Sequence, residues 1–91
     1  MAKRDVHHDL KCWPEYFQQV WDRNKLFEIR KNDRGFTKGD TFTLWEYEPS
    51  TQEYTNRFIS GNITYVTPFG QPEGQVVFGI YPVKQGHKSF S

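Results

Sequence analysis

The sequence is short of the residues that stabilise secreted domains and anchor membrane proteins. Cys12 is its only cysteine, so an intrachain disulfide is excluded, as is typical of a reducing compartment. No apolar run approaches the roughly 20 residues of a membrane-spanning helix. No charged and then apolar stretch precedes a cleavage site of the secretory kind. We therefore expect a cytoplasmic protein that is not embedded in a membrane.

The chain also has almost no net charge. Its twelve Lys and Arg residues and eleven Asp and Glu residues leave a formal charge of +1, which excludes a global basic field for nucleic acid. The charge is nevertheless uneven along the chain. Residues 25–40 contain five basic and three acidic side chains, a net of +2, whereas residues 45–53 contain three glutamates and no base, a net of −3. A local basic site within residues 25–40 is therefore compatible with the neutral total.

Residues that bind metals or act as nucleophiles are equally scarce. His8 and Cys12 share one face of a predicted strand, but four residues of extended chain separate them by roughly 13 Å. One zinc ion cannot be reached by both without a bend, and no second cysteine exists to complete a zinc site. Cys12 also falls on the predicted core face, where thiols are inert. We expect structural roles for His8 and Cys12, with no metal and no cofactor.

What the sequence does have is a high content of aromatic residues in a short chain. Sixteen of the 91 residues are Phe, Trp or Tyr. A domain of this length buries only roughly 60–65% of its unfolded surface, and large rings give much burial per residue. These features predict a single domain over residues 1–91, with an ordered core from about residue 6 to about residue 83.

Alternating and helical patterns predict one helix and five strands. Pro14 suits the first position of a helix that ends near Asn24, a residue that tolerates the left-handed conformation of a C-cap. The apolar stripe of this helix comprises Trp13, Phe17, Val20 and Trp21. The predicted strands cover residues 6–12, 26–30, 41–47, 54–66 and 75–83, and the fourth has a bulge at Asn56 or Gly61. This order predicts an α+β, mainly β fold, in which a small, partly closed barrel has the helix over one opening.

The same alternation predicts which side of each strand faces the core. In the second strand it places Phe27 and Ile29 inside and Glu28 and Arg30 outside. The predicted core residues of the strands are Phe27, Ile29, Phe42, Leu44, Ile63, Val76, Phe78 and Ile80.

Four segments carry a resemblance to a known family. They read HDLKCWPEYFQQV, KLFEIRKNDRGFTKGDTFTLWEYEP, EYTNRF and QVVFGI. In this order and spacing they resemble the ASCH domain of the PUA-like superfamily, and they are most similar to its short bacterial and phage branch, a domain of unknown function. The resemblance covers roughly residues 8–80, and FEIRKNDR followed by GD is its most specific part.

The resemblance implies a small PUA-like β-barrel of about five strands with one or two short helices. It also implies a cleft between the first helix and the barrel, where RNA or a modified nucleoside binds. One ASCH branch is similar to an amidohydrolase acting on acetylated cytidine, and another resembles a ribonuclease. Lys25 matches a lysine of the family, but Glu28 occupies the position of the amidohydrolase's threonine nucleophile. A glutamate cannot perform the same acyl transfer, so the resemblance does not extend to that mechanism.

A dense group of polar residues in and around FEIRKNDR is the predicted site. In the functional interpretation Lys25 and Arg30 meet a phosphate or a base edge, and Glu28 accepts from an exocyclic amine or holds Arg30 in place. In the alternative, the segment is a solvated hairpin in which Glu28 and Arg30 pair on the surface, worth roughly 0–1 kcal/mol. The predicted RNA- or ligand-binding residues are Lys11, Lys25, Glu28, Arg30, Lys31, Asn32 and Arg34.

Three functions from different classes fit these patterns. The leading hypothesis is a non-enzymatic module that binds RNA or a nucleotide in the cleft. Tyr16, Trp45 and Tyr47 are candidates for stacking bases, whereas Trp21 is assigned to the core because it completes the helix stripe. The second is a small hydrolase acting on RNA or a modified nucleoside through Lys25 and Glu28, with Glu28 as the general base. The third is a protein-binding, inhibitor-like factor that uses Trp45 and Tyr47, which we expect to be half exposed.

Overall fold

The described part of the chain is built from one helix and five strands. The computed structural model of the protein describes residues 6–88. In chain order the elements are β1 (His7–Cys12), α1 (Pro14–Trp21), β2 (Phe27–Lys31), β3 (Thr41–Glu48), β4 (Glu53–Thr67) and β5 (Gln75–His87). The predicted order of elements is confirmed, and this part of the chain is mainly β. Within residues 6–88 no helix has the length and apolar character needed to cross a membrane.

All five strands join one curled sheet in the order β1-β3-β4-β5-β2. β1 runs parallel to β3, and the other three pairs are antiparallel. β1 and β2 are therefore the two edges of the sheet, and the curl brings them opposite one another in a half-barrel. The Arg30 side chain of β2 reaches the backbone oxygen of Lys11 in β1, with 2.9 Å between Nη2 and O. We call this gap between β1 and β2, which side chains cross, the seam.

Helix α1 is short and is held by its packing. Pro14 lies in its first turn, and Phe17 and Val20 are fully buried in the core. Trp13 precedes the helix with an extended backbone and remains 49% exposed, so its predicted place in the buried stripe is wrong. After the helix it is Arg23, and not the predicted Asn24, that adopts the left-handed conformation, with φ 66°.

Strand β2 has the opposite orientation to the one that alternation predicts. Phe27 and Ile29 are 42% and 48% exposed, whereas Glu28 is only 5% exposed. The prediction that Phe27 and Ile29 belong to the core is therefore wrong. Alternation assigns the apolar face of a strand to the core, but β2 is an edge strand, and its inner face borders an opening at the seam.

The remaining predicted core positions are confirmed. Alternate residues of β3, β4 and β5 pack in one buried cluster, which also takes in residues of β1 and α1 and Phe36 from the connection between β2 and β3. The predicted residues that are buried are Phe42, Leu44, Ile63, Val76, Phe78 and Ile80. Burial of an apolar side chain of this size contributes roughly 1.5–3 kcal/mol, so this cluster holds the central strands together.

Strand β4 is long and changes register against both of its neighbours. Asn56, with φ 75°, lies at the irregularity between β3 and β4, and Gly61 lies at a shift between β4 and β5. Both predicted bulge positions are confirmed. A Cβ atom at Gly61 would lie 2.0 Å from the backbone oxygen of Tyr81, so only glycine allows this approach. β5 continues to His87, beyond the predicted end of the strand at residue 83.

A buried polar pair fixes the start of β3. His8 Nε2 lies 2.8 Å from Asp40 Oδ2, and both side chains are buried. The same Asp40 oxygen accepts the backbone N–H of Thr37 at 3.1 Å, and the His8 ring packs on Phe36 with 4.6 Å between centroids. His8 therefore has the structural role that was expected. Among residues 6–88 no group of three or more His, Cys, Asp and Glu side chains is arranged to hold a metal ion.

Candidate functional site

An open cavity of about 420 Å³ lies where the end of β1 and the start of α1 face β2. We call this cavity the cleft. It is lined by Lys11, Cys12, Trp13, Tyr16, Lys25, Phe27, Glu28, Ile29 and Arg30. Its volume falls within the range of about 300–1,000 Å³ that is typical of small-molecule sites.

Among the residues that the structure describes, Glu28 is the one acidic side chain that lines the cleft, and it is buried. Lys25 Nζ lies 3.0 Å from its Oε2, and Arg30 Nη2 lies 3.5 Å from its Oε1. The Cys12 thiol donates to the same Oε1 at 3.8 Å. A buried carboxylate is strongly destabilising unless it is paired. Lys25 and Arg30 therefore explain how β2 turns Glu28 inward.

Lys25 is held at the cleft by protein acceptors on two sides. Its Nζ donates to the backbone oxygen of Phe27 at 2.7 Å and to Glu28. The ammonium also lies 4.8 Å from the centre of the Phe27 ring, within the range of a cation–π contact. The position of this charge is therefore defined before any ligand binds.

Two arginines cross the seam and bind the free edge of β1. Arg30 Nη2 donates to the backbone oxygen of Lys11 at 2.9 Å, and Arg34 Nη1 donates to that of Asp9 at 2.7 Å. Asp9 and Lys11 are two residues apart in the strand, so their carbonyl groups point to the same side of β1. Both acceptors belong to an edge strand, and within residues 6–88 no strand pairs with that side of β1. The arginine side chains therefore supply the donors that a neighbouring strand would otherwise supply.

Burial and the nearby charge of Glu28 raise the pKa of the Cys12 thiol to about 12, although Arg30 and Lys25 act in the opposite direction. At neutral pH the thiol is therefore protonated. It acts as a hydrogen-bond donor to Glu28 and not as a nucleophile. This state agrees with the inert thiol expected from the sequence.

The walls of the cleft are aromatic and apolar. Trp13 and Tyr16 are about half exposed, as are Phe27 and Ile29 on the outward face of β2. Exposed rings beside a charged group suit a planar ligand that stacks on one face and forms hydrogen bonds at its edge. The sequence pointed to Tyr16 but missed Trp13 and Phe27, because their large apolar side chains were assigned to the helix stripe and the core.

The predicted binding residues divide between two cavities and a turn. The members that line the cleft are Lys11, Lys25, Glu28 and Arg30. A second cavity of about 300 Å³, which we call the seam cavity, is lined by Leu10, Ile29, Arg30, Lys31, Asp33, Arg34 and Phe36. Asn32 lines neither cavity, since its Oδ1 accepts the backbone N–H of Phe36 at 3.1 Å and shapes the turn after β2.

A second buried glutamate, which the sequence did not reveal, lies beneath α1. Arg57 binds Glu46 through two parallel bonds, Nε to Oε1 and Nη2 to Oε2, both of 2.8 Å. Arg57 Nη2 also donates to Gln18 in α1 at 3.0 Å, and its guanidinium lies over the rings of Phe17 and Trp21. Hydrogen bonds from Arg57, followed by one from Thr55, hold the pKa of Glu46 below its usual value. This pair fastens the helix to β3 and β4.

The outer face of β3 and β4 carries the aromatic residues considered for protein binding. Trp45 and Tyr47 are half buried, as predicted. Trp45 Nε1 donates to Asp9 Oδ1 at 3.0 Å, and the rings of Tyr47 and Tyr54 meet edge to face with 4.9 Å between centroids. Lys11 Nζ lies 4.2 Å from the centre of the Tyr47 ring, so this lysine also contacts the outer face.

Comparison with known proteins places these residues in a family. Residues 7–80 match the model of a family described as "Domain of unknown function (DUF3850)". Over 60 residues the chain is 37% identical to "Uncharacterized 12.9 kDa protein in GpA 3'region" of Escherichia phage P2, a stretch covering 66% of this chain and 53% of the phage protein. The chain thus spans about half the length of this relative. Because the family model covers most of the chain, including the cleft and the seam, the protein belongs to the DUF3850 family.

Proposed function

We propose that this protein binds RNA or a nucleotide in the cleft, as a module of the ASCH kind within the PUA-like superfamily. Two general features support the proposal. The sheet is a curled half-barrel of five strands with one described helix, and an open cleft lies between that helix and an edge of the sheet. Both features agree with the architecture that the sequence resemblance implies.

The observation that carries the proposal is a buried carboxylate between two cations at an aromatic-walled cavity. A base that stacks on Trp13 or Phe27 can present its edge to Glu28, whose oxygens accept hydrogen bonds from an exocyclic amine. Arg30 supplies donors for the acceptors of the same edge. The combination of ring faces, one acceptor group and fixed donors matches how proteins recognise an unpaired base.

The charge of the cleft also suits a phosphate. The lining residues within positions 6–88 include the cations Lys11, Lys25 and Arg30 and the anion Glu28, which leaves a net charge of +2 for this part of the chain. This local excess exists although the whole chain carries only +1. Phosphate binding by a few basic side chains supplies affinity without sequence preference, while contacts to the base supply selectivity.

Binding is favoured over hydrolysis by the state of the nucleophile candidates. Glu28 stands where the amidohydrolase branch has its threonine, and it is paired with Lys25 at 3.0 Å. The Cys12 thiol, with its pKa raised to about 12, is protonated at neutral pH. Neither group offers the hydroxyl or thiolate that acyl transfer through a covalent intermediate requires.

The test is a titration of the protein with a single-stranded RNA hexamer at increasing salt concentration. If Lys11, Lys25, Arg30 and Arg34 together make about three phosphate contacts, the plot of log affinity against log salt should have a slope near −2. Lys38→Ala is the matched control, because Lys38 is an exposed turn lysine that lines neither cavity. A hexamer affinity that is independent of salt would contradict phosphate binding by these four side chains.

The same samples distinguish binding from catalysis. Total RNA and acetylated cytidine are incubated with the protein and separated by chromatography. Retention without new products is the expected result. Turnover of either substrate that disappears in Glu28→Gln would establish the hydrolase alternative.

A further inference from the structure

We propose that Arg34 in the seam cavity holds a second phosphate, one beyond the phosphate at Arg30, so that the ligand is a single-stranded oligonucleotide of at least two nucleotides. This inference rests on the proposed function of the cleft. It assigns a separate role to Arg34, which lies outside the cleft. Three observations support it: the continuity of the two cavities, the spacing of two guanidinium groups and the charge of the seam cavity.

The cleft and the seam cavity are adjacent. Ile29 and Arg30 line both of them. The two volumes are about 420 Å³ and about 300 Å³, and each is lined by three basic side chains and one acidic side chain, but half-exposed aromatic rings line only the first. A chain that places a base in the cleft therefore continues past Arg30 into a basic groove.

The two arginines of the seam are held at a fixed spacing. Arg30 and Arg34 each donate to a carbonyl of β1, and these carbonyls belong to residues two apart in an extended strand. Two residues of strand span roughly 7 Å. This distance is comparable to the separation of successive phosphates along an extended single strand. The edge of β1 thus anchors the two guanidinium groups at carbonyls whose interval suits a nucleic-acid backbone.

Arg34 retains donors for a further acceptor. A guanidinium has five N–H donors, and Arg34 uses Nη1 for the backbone oxygen of Asp9. Asp33 Oδ1 lies 4.0 Å from Arg34 Nε, which is longer than a hydrogen bond, and the Arg34 side chain is 49% exposed. The seam cavity is lined by the cations Arg30, Lys31 and Arg34 and the anion Asp33, a net charge of +2. A planar fork in such a setting binds phosphate through two donors.

The experiment compares ligands that differ by one nucleotide. Calorimetric dissociation constants are measured for each ribonucleoside 5′-monophosphate and for the corresponding 5′-phosphorylated dinucleotide, in ribose and deoxyribose series. The proteins are wild type, Arg34→Ala, Arg34→Lys and the control Lys38→Ala. Thermal unfolding of each variant shows whether loss of the contact to Asp9 disturbs the fold.

We expect the dinucleotide to bind wild type about tenfold more tightly than the monophosphate, as one added charge-assisted contact of this kind supplies. Arg34→Ala should abolish this gain while the monophosphate affinity stays within about twofold. For the dinucleotide, the slope of log affinity against log salt should be smaller in magnitude for Arg34→Ala than for wild type by about 0.7, the contribution of one single-strand phosphate. Arg34→Lys should retain the slope, since it retains the charge. If the dinucleotide gains the same affinity over the monophosphate in the ribose and deoxyribose series, the added contact is to the phosphate. If it gains affinity in the ribose series alone, the site is specific for RNA.

Two results would overturn the inference. The first is a dinucleotide that binds wild type no more tightly than the monophosphate, a comparison that needs no variant. The second is an equal loss of both ligands in Arg34→Ala. In either case the cleft still binds the monophosphate and the proposed function stands, whereas absence of all binding to wild type contradicts the proposed function itself.

Discussion

Glu28 and Glu46 are both buried glutamates on strands, and each lies beside an arginine, yet the two sites differ in how completely the pair is formed. Arg57 binds Glu46 through two bonds of 2.8 Å, whereas Arg30 approaches Glu28 only to 3.5 Å. Arg57 is also covered by the rings of α1 and bonded to Gln18. Glu28 instead faces an open cavity.

The difference separates a structural ion pair from one that is available to a ligand. The donors of Arg57 that are directed at Glu46 and Gln18 are used by the fold, so no ligand can engage them without breaking it. Arg30 forms one bond to the backbone of Lys11 and a long contact to Glu28, which leaves donors at the cleft. The completeness of the pair, and not its burial alone, indicates which site has a function beyond stability.

The largest expected effect is on the alkylation rate of Cys12, which lies in the cleft and should react far more slowly in the native protein than in the unfolded protein. Raising the thiol pKa from 9.0 to about 12 lowers the thiolate fraction at pH 8 about a thousandfold. Alkylation by iodoacetamide, followed by mass spectrometry, should therefore be at least that much slower in the native protein than in the protein unfolded by urea. Glu28→Gln should speed the native reaction, because the carboxylate charge raises the pKa, and Arg30→Ala should slow it. Similar rates in native and unfolded protein would show that Cys12 is not buried beside Glu28.

Removing Arg57 should have the largest effect on stability. Arg57→Ala leaves Glu46 buried without its partner, and we expect it to lower the free energy of unfolding by about 2–4 kcal/mol. The value lies below that of a fully buried pair because Arg57 is partly exposed. Arg57→Lys should retain only part of the stability lost in Arg57→Ala, since an ammonium cannot replace two parallel bonds. Urea denaturation measures the free energy of unfolding of both variants. A change below 1 kcal/mol for Arg57→Ala would contradict the structural role that we assign to the Glu46–Arg57 pair.

A smaller effect is expected in the acid range. The folded-state pKa of Glu46 is lowered from its ordinary value of 4.5, mainly by hydrogen bonds from Arg57. Its contribution to stability is therefore present above about pH 4.5 and is lost as the pH falls through the lower folded-state pKa. Wild type should lose stability more steeply than Arg57→Ala between pH 5 and pH 3. Parallel curves of unfolding free energy against pH would contradict the assignment.

The central strands could be predicted from the sequence because their environment is simple. β3 and β5 are covered on one face by the core, so apolar alternation indicates their orientation directly, as at Phe42, Leu44 and Phe78. The helix start at Pro14 and the irregularities at Asn56 and Gly61 follow from local backbone preferences. These features depend on neighbours in the chain or on a single face of the sheet.

The orientation of β2 and the Glu46–Arg57 pair depend on contacts that alternation does not describe. At the edge of the sheet, the inner position of Glu28 is stabilised by Lys25 and Arg30, and this outweighs the burial that Phe27 and Ile29 would have gained. For Glu46 a signal was present. The alternation through Phe42 and Leu44 continues to this glutamate, and a carboxylate on a core face requires a partner.

The most direct test of the binding account is the affinity of a single-stranded RNA hexamer for wild type, Arg30→Ala and Arg30→Lys, measured by fluorescence anisotropy. If Arg30 is a fixed fork that meets the ligand, both variants should lose about 1–3 kcal/mol of binding free energy, because a point charge cannot replace two planar donors. Lys38→Ala should bind as wild type does. Equal affinity of wild type and both Arg30 variants for the hexamer would contradict the account and leave FEIRKNDR as a charged strand and turn.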